Sequence, residues 1–181
     1  NILIGTFPAA IIGLLFKEKI DEYFFNIDNI NYLAISYLFL SIILFFTKSN
    51  SSNRYDNISY KYALIIGLAQ CFAIIPGISR AGITIATALY IGINNKSATK
   101  FSFILAIPIL FFSFLISVIE NYILFSKSII FWPLITGFLS SFIVGYLSIG
   151  FLVNMINKHK LWYFSVYCLT ISLILGYYHG I

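Results

Sequence analysis

Apolar runs separated by short polar segments make up most of the sequence and constrain its fold more than any other feature. These runs cover residues 2–16, 32–46, 62–75, 83–91, 101–119, 129–155 and 162–178. A helix needs about 20 apolar residues to cross the roughly 30 Å hydrocarbon core of a bilayer. The pattern therefore predicts an all-α polytopic membrane protein, in which the first span is shortened by the start of the chain.

The composition agrees with this fold class. Hydrophobic residues make up 60% of the chain and charged residues 9%, whereas soluble domains have about 45 to 50% apolar residues. Because the chain has 181 residues, we expect one transmembrane domain over residues 1–181. The net charge is +5 without any long basic cluster, so we expect no nucleic-acid partner.

Two of the apolar runs, residues 62–75 and 83–91, are too short to cross the membrane singly. At 1.5 Å per residue the longer one would reach only about 21 Å as a helix. Together they predict a re-entrant helical hairpin over about residues 62–91. The remaining runs then form about five transmembrane helices, joined by polar segments that include residues 17–31 and 92–100.

The distribution of basic residues supports the hairpin. If residues 62–91 enter and leave on one side, seven basic residues lie on that side and three on the other; a crossing segment would give six and four. The seven are Lys48, Arg54, Lys61, Lys96, Lys100, Lys158 and Lys160. The positive-inside rule favours the hairpin and places these seven residues in the cytoplasm.

The break between the two short runs contains the candidate functional residues. Pro76 and Gly77 end one half-helix, Ser79 lies where an N-cap is expected, and Arg80 follows directly. Inserting an arginine into the membrane costs about 2.5 to 3.5 kcal/mol on insertion scales. An arginine at this depth therefore indicates a functional site. A half-helix N-terminus presents free N–H groups, and the guanidinium can bind two phosphate oxygens.

Two further residues complete the predicted anion site. Gly82 would let the backbone approach a ligand, and the Thr84 hydroxyl lies one turn further along the helix. The alternative interpretation is a helix kinked at Pro76, with Arg80 extending to the lipid headgroups.

Other features carry less information. Asn1 is followed directly by an apolar run without a basic segment, so we expect no signal peptide and a chain that is cut at its start. Cys71 and Cys168 lie inside apolar runs, where a free cysteine behaves as a small hydrophobic residue.

The sequence resembles the undecaprenyl-diphosphate phosphatase family that is linked to bacitracin resistance. The similarity is carried by GLAQ at 67–70, AIIPGISRAGITI at 73–85 and ATKFSFILAIP at 98–108. It also covers GTFPAAIIGLLF at 5–16 and runs to the C-terminus, so that the whole chain matches the later two thirds of the family.

The resemblance implies a fold of two inverted repeats, each with a re-entrant hairpin, and an active site between the hairpins. Ser79, Arg80 and Thr84 would be the second hairpin's share of a pyrophosphate site, with Gly77 and Gly82 as phosphate-binding backbone. The family's first hairpin carries glutamates and a Pro-x-Ser-Ser-x-Gly-His motif, neither of which occurs here. Ala81 also stands where the family usually has serine.

The resemblance further implies hydrolysis of undecaprenyl diphosphate to the monophosphate, which recycles the lipid carrier of cell-wall synthesis. It implies a divalent metal, Mg²⁺ or Ca²⁺, whose ligands are not in this chain. The expected partners are the polyprenyl diphosphate and membrane lipids, in the bacterial plasma membrane, and a homodimer stays open. The alternatives are a transporter or flippase for a phosphorylated lipid or anion, and an inactive fragment.

Overall fold

The computed structural model describes residues 1–24, 30–47, 55–120 and 131–179, and these residues are almost entirely helical. They form seven α-helices: α1 (Ile2–Phe24), α2 (Ile30–Phe46), α3 (Tyr60–Gln70), α4 (Arg80–Ile91), α5 (Asn95–Glu120), α6 (Phe131–Asn157) and α7 (Tyr163–His179). A short 3₁₀ helix, Cys71–Ile74, extends α3. The predicted all-α class is therefore confirmed.

Two of these helices are long and apolar enough to cross a membrane. They are α5 over Asn95–Glu120, with a mean hydropathy of 2.6, and α6 over Trp132–Asn157, with a mean hydropathy of 1.8. The other described helices contain shorter apolar stretches of 10–17 residues. By length and composition, the chain thus has the character of a membrane protein.

Two of the predicted polar segments are partly helical, so their predicted boundaries were wrong. Helix α1 continues to Phe24, because the Lys-Glu-Lys-Ile-Asp-Glu sequence that follows its apolar run contains no helix breaker. Helix α5 already begins at Asn95, because the side-chain oxygen of Asn94 accepts a hydrogen bond of 2.7 Å from the Ser97 N–H. Polar residues mark the ends of an apolar run, but the helix can extend into the polar segment on either side.

Helices α3 and α4 form a hairpin whose open ends lie side by side. The Tyr55 N–H donates to the Gly92 carbonyl at 3.1 Å, and the Asn94 N–H donates to the Tyr55 carbonyl at 3.0 Å. The Ser97 hydroxyl adds a hydrogen bond of 2.6 Å to the Asp56 carbonyl. The segment before α3 is thereby held against the segment after α4.

Neither helix of the hairpin has the length of a membrane span. Helix α3 has 11 residues and its 3₁₀ extension four, whereas α4 has 12. At 1.5 Å per residue, α4 is about 18 Å long. It begins at Arg80 rather than at Ile83, where the predicted apolar run starts.

Close packing of α1 against α3 holds the hairpin in place. A Cβ atom on Gly67 would lie 2.3 Å from the Gly5 carbonyl oxygen and 2.8 Å from the Gly5 Cα. The two backbones therefore touch at this crossing, next to the buried side chains of Ala63, Ile66 and Leu105. Helix α2 contacts α4 of the hairpin and packs against α7.

Candidate functional site

The turn between the two hairpin helices requires glycine at its centre. Gly77 has a φ of +91°, in the left-handed region that favours glycine. A Cβ atom there would also lie 3.0 Å from the Ser36 Cβ and 3.2 Å from the Leu33 Cδ1 of α2. The prediction that Pro76 and Gly77 end the first half-helix is confirmed.

Ser79 is the N-cap of α4, as its position in the sequence predicts. Its backbone is extended, with φ −66° and ψ 121°, and its Oγ accepts a hydrogen bond of 3.2 Å from the Gly82 N–H. Its carbonyl accepts the Ile83 N–H at 2.9 Å. The Ser79 side chain is exposed, so its hydroxyl proton is available to a ligand while its oxygen caps the helix.

Several backbone N–H groups around this cap have no partner in the part of the chain that the structure describes. They belong to Gly77, Ser79, Arg80 and Ala81. Unpaired N–H groups at a helix start form an anion-binding surface, because the helix dipole adds a partial positive charge at the same place.

The Arg80 guanidinium adds a full positive charge to this surface. Arg80 is the first residue of α4 and is half-buried. It forms no ion pair or side-chain hydrogen bond with the residues that the structure describes. Since a partly buried cation is stabilised by an opposite charge, an anionic ligand fits this position.

Gly82 and Thr84 lie on the buried side of the first turns of α4. A Cβ atom on Gly82 would lie 3.2 Å from the Ser79 Cβ and 3.3 Å from the Ser79 Oγ, so glycine lets the cap close. Thr84 is completely buried, and its hydroxyl donates to the Arg80 carbonyl at 2.8 Å. The structure brings Gly77, Ser79 and Arg80 together at one surface, with the Thr84 hydroxyl inside the fold.

Two buried polar side chains outside the predicted site were given no role in the sequence analysis. The Gln70 amide, at the end of α3, and the Ser102 hydroxyl, on α5, have no hydrogen-bond partner within the described ranges. Gln70 is only 1% exposed. The available signal for Gln70 was an amide inside an apolar run; Ser102 gave none, because single serines are common in membrane helices.

The residues at this surface do not fit a divalent metal ion. They offer N–H donors and a guanidinium, whereas Mg²⁺ and Ca²⁺ require oxygen ligands, mainly carboxylates. Among the residues that the structure describes, no three His, Cys, Asp or Glu side chains come together. We therefore assign no chemical step to a metal held by this part of the protein.

Comparison with known proteins gives consistent matches over nearly the whole chain. The profile of a family described as "Bacitracin resistance protein BacA" matches residues 1–174. The chain is 37% identical over 178 residues to an undecaprenyl-diphosphatase of Exiguobacterium sibiricum. The aligned region covers 97% of this chain and 64% of that protein.

Two further relatives give the same result. An undecaprenyl-diphosphatase of Macrococcus caseolyticus is 39% identical over 179 residues, or 97% of this chain and 63% of that protein. Undecaprenyl-diphosphatase 3 of Bacillus anthracis is 36% identical over 174 residues, or 96% of this chain and 63% of that protein. The chain thus spans slightly less than two thirds of the length of the relatives it matches. It belongs to the bacitracin resistance protein BacA family.

Proposed function

We propose that this chain forms part of an undecaprenyl-diphosphate phosphatase, which hydrolyses the lipid-carrier diphosphate to the monophosphate and inorganic phosphate. The names of the relatives support the reaction. The observation that carries the proposal is the Arg80 guanidinium beside the N–H groups of Ser79 and Ala81, all without a partner among the residues that the structure describes, at a turn between two short apolar helices.

The residues of the turn have separate roles in this reaction. As the bond between the two phosphates breaks and a water oxygen joins the terminal phosphorus, negative charge builds up on the phosphoryl oxygens. The two N–H edges of the Arg80 guanidinium bind two of these oxygens. The Ser79 hydroxyl and the backbone N–H groups, including that of Gly77, hold the diphosphate in place.

In this proposal, Thr84 acts through its contact with Arg80. Its hydroxyl bonds the carbonyl of Arg80, the residue that binds the phosphate in this proposal. Gly82 allows the cap to form beside the ligand. The divalent metal that the family implies would have to be held by residues outside those described, which is consistent with the length of the relatives.

We further propose that α3 and α4 form a re-entrant hairpin within a bundle of about five membrane spans in the bacterial plasma membrane. The hydrogen-bonded open ends of the hairpin and its short helices support this topology. Single cysteines can test it: Asn57→Cys and Lys96→Cys, in a Cys71→Ser, Cys168→Ser background, occupy exposed positions at the two open ends.

Both cysteines should be protected from an impermeant thiol reagent that is added outside intact cells, and both should react after the cells are permeabilised. Labelling of only one of the two in intact cells would contradict the re-entrant hairpin. Labelling of both would reverse the proposed orientation.

The reaction itself is tested by phosphate release from undecaprenyl diphosphate in detergent. We expect no release by residues 1–181 alone, because one arginine does not neutralise the charge of a diphosphate in the transition state. Joining the front third of a relative to the chain should restore release that depends on a divalent metal. Release by residues 1–181 in the presence of a chelator would show that this division of roles is wrong.

The transport alternative receives no support from the relatives, whose names describe a diphosphatase. The inactive-fragment alternative predicts that the joined protein also releases no phosphate. The homodimer stays a prediction.

A further inference from the structure

Four lysines from two distant parts of the sequence come together beside the open end of the hairpin. Lys96 and Lys100 lie one turn apart at the start of α5, and Lys158 and Lys160 lie in the turn between α6 and α7. All four side chains are exposed, and none forms an ion pair with the residues that the structure describes. These four residues are called the lysine cluster below.

The Asn95 side chain joins the two halves of the lysine cluster. Its Nδ2 donates to the Ile156 carbonyl at 2.6 Å and lies 3.3 Å from the His159 Nδ1. Lys96 follows Asn95 directly, and the two lysines of the turn flank His159. Since Ile156 is only 1% exposed, this junction belongs to the packed fold and holds the two pairs of lysines side by side.

Acidic side chains do little to balance this positive charge. Two carboxylates belong to the side chains that the structure describes, Asp56 and Glu120. Glu120 lies at the far end of α5. Asp56 lies near the start of α5, but its carboxylate already accepts a hydrogen bond from the Asn94 amide. The lysine cluster therefore attracts an anion from outside the described chain.

Two aromatic side chains next to the cluster indicate its level in the membrane. Trp162 and Tyr163 stack with their ring centroids 4.3 Å apart, and the Lys160 amine lies 5.7 Å from the centroid of the Tyr163 ring. Trp and Tyr are enriched where a membrane protein meets the lipid headgroups. The lysines are therefore at the level of the phosphates of the bilayer.

An apolar stripe on α6 leads away from the cluster. Leu147 and Phe151 are 64% and 59% exposed, and their spacing places them on the same helix face as Lys158. The Lys158 N–H continues the helical pattern by donating to the Asn154 carbonyl at 3.2 Å. An acyl chain can lie along this stripe while its phosphate reaches the lysines. A soluble acidic protein segment would leave the stripe uncovered.

We propose that the lysine cluster binds an anionic phospholipid whose headgroup carries two phosphates, of the diphosphatidylglycerol type. The two lysines of α5 bind one phosphate and the two lysines of the turn bind the other, because the Asn95 junction holds the pairs side by side. Basic pockets between membrane helices suit such headgroups. The inference does not depend on the proposed reaction, and the proposed topology assigns the lipid to the cytoplasmic leaflet.

Native mass spectrometry tests the inference on residues 1–181 in a neutral detergent. The protein is titrated with diphosphatidylglycerol, phosphatidylglycerol or phosphatidylethanolamine of the same acyl chains, and the spectra give the dissociation constant of the first bound lipid. Diphosphatidylglycerol should bind at least about tenfold more tightly than the other two, because its second phosphate meets a second pair of lysines. Equal affinities for the three lipids would overturn the inference.

Matched variants locate the bound lipid. Lys96→Gln and Lys158→Gln should each weaken diphosphatidylglycerol binding about fivefold, whereas Lys61→Gln should not. Lys61 is also exposed, but it belongs to α3, which packs on α1 and α4. Equal losses in the three variants would show that net charge alone attracts the lipid and would contradict the site. Arg80→Gln should leave the affinity unchanged, and a loss confined to Arg80→Gln would place the lipid at the turn of the hairpin instead.

A variant at Asn95 separates the arrangement of the lysines from their charge. Asn95→Ala keeps all four lysines but removes the hydrogen bond to the Ile156 carbonyl. It should weaken diphosphatidylglycerol binding about threefold, because the two pairs are no longer held together before the lipid binds. If the apparent Tm without lipid shows that Asn95→Ala does not fold, Asn95→Ser replaces it. An unchanged affinity in the folded variant would contradict the proposal.

Discussion

The hairpin and helix α6 are both built from mainly apolar sequence but have opposite surroundings. Seven of the 12 residues of α4 are buried within the protein. In contrast, only 6% of an apolar 18-residue stretch of α6 is buried. Hydrophobicity alone therefore does not predict how much of a helix is buried among the residues that the structure describes. In this chain, the residues of the proposed site lie where the helices are too short to cross a membrane.

Small and hydroxyl residues show the same contrast. Gly67 and Gly77 touch other helices, whereas an added Cβ on Gly137 or Gly145 of α6 would meet no atom within 4 Å in the described part of the chain. Thr84 and Thr136 both donate to the carbonyl four residues before them, but only Thr84 is buried. The same substitution made in each region can therefore test whether the change in the free energy of unfolding depends on the surroundings or on the residue type.

The largest expected effect is at the crossing of α1 and α3. Gly67→Ala should lower the free energy of unfolding by about 3 kcal/mol, because the new Cβ meets Gly5 backbone atoms that cannot move independently. Gly145→Ala should raise it by up to about 1 kcal/mol, since alanine favours a helix and has open space there. Unfolding in mixed detergent micelles measures both. Similar values for the two variants would show that the close crossing is not real.

A smaller effect is expected at the helix cap. Ser79→Ala should cost about 1 kcal/mol of stability, because the Gly82 N–H loses its acceptor. Ser140→Ala on α6 should change stability by less than about 0.5 kcal/mol, since the exposed Ser140 hydroxyl bonds the Gly137 carbonyl of its own helix and no other described residue. Ser79→Asn keeps a capping oxygen and should recover most of the loss. A Ser79→Asn variant as unstable as Ser79→Ala would contradict the capping role.

The smallest expected effect on the free energy of unfolding is the difference between Thr84 and Thr136. Thr84→Val should lower the free energy of unfolding by about 0.5 to 1 kcal/mol, because the buried hydrogen bond to the Arg80 carbonyl is lost. Thr136→Val should leave it nearly unchanged, because water or lipid headgroups can replace an exposed bond. In the completed enzyme, a loss of rate in a fully folded Thr84→Val would support the role proposed for this hydroxyl, which acts through its contact with Arg80.

The sequence allowed most of the helices, the break at Pro76–Gly77 and the Ser79 cap to be predicted, because each depends on local chemistry. The helix boundaries at Phe24 and Asn95 were missed, because they depend on helix propensity and on one capping side chain rather than on hydropathy. The packing of α2 along α7 could not be predicted, since the two helices are far apart in the sequence.

The central claim is that the Arg80 guanidinium binds two phosphoryl oxygens at the start of α4. Its most direct test is the rate of phosphate release by Arg80→Lys and Arg80→Ala in the enzyme completed with a relative's front third. A lysine cannot reproduce the planar contact with two oxygens, so both folded variants should lose about 100- to 1000-fold in kcat. If Arg80 only extends to lipid headgroups, its charge is sufficient, and a folded Arg80→Lys enzyme that keeps its rate within a few-fold would contradict the claim.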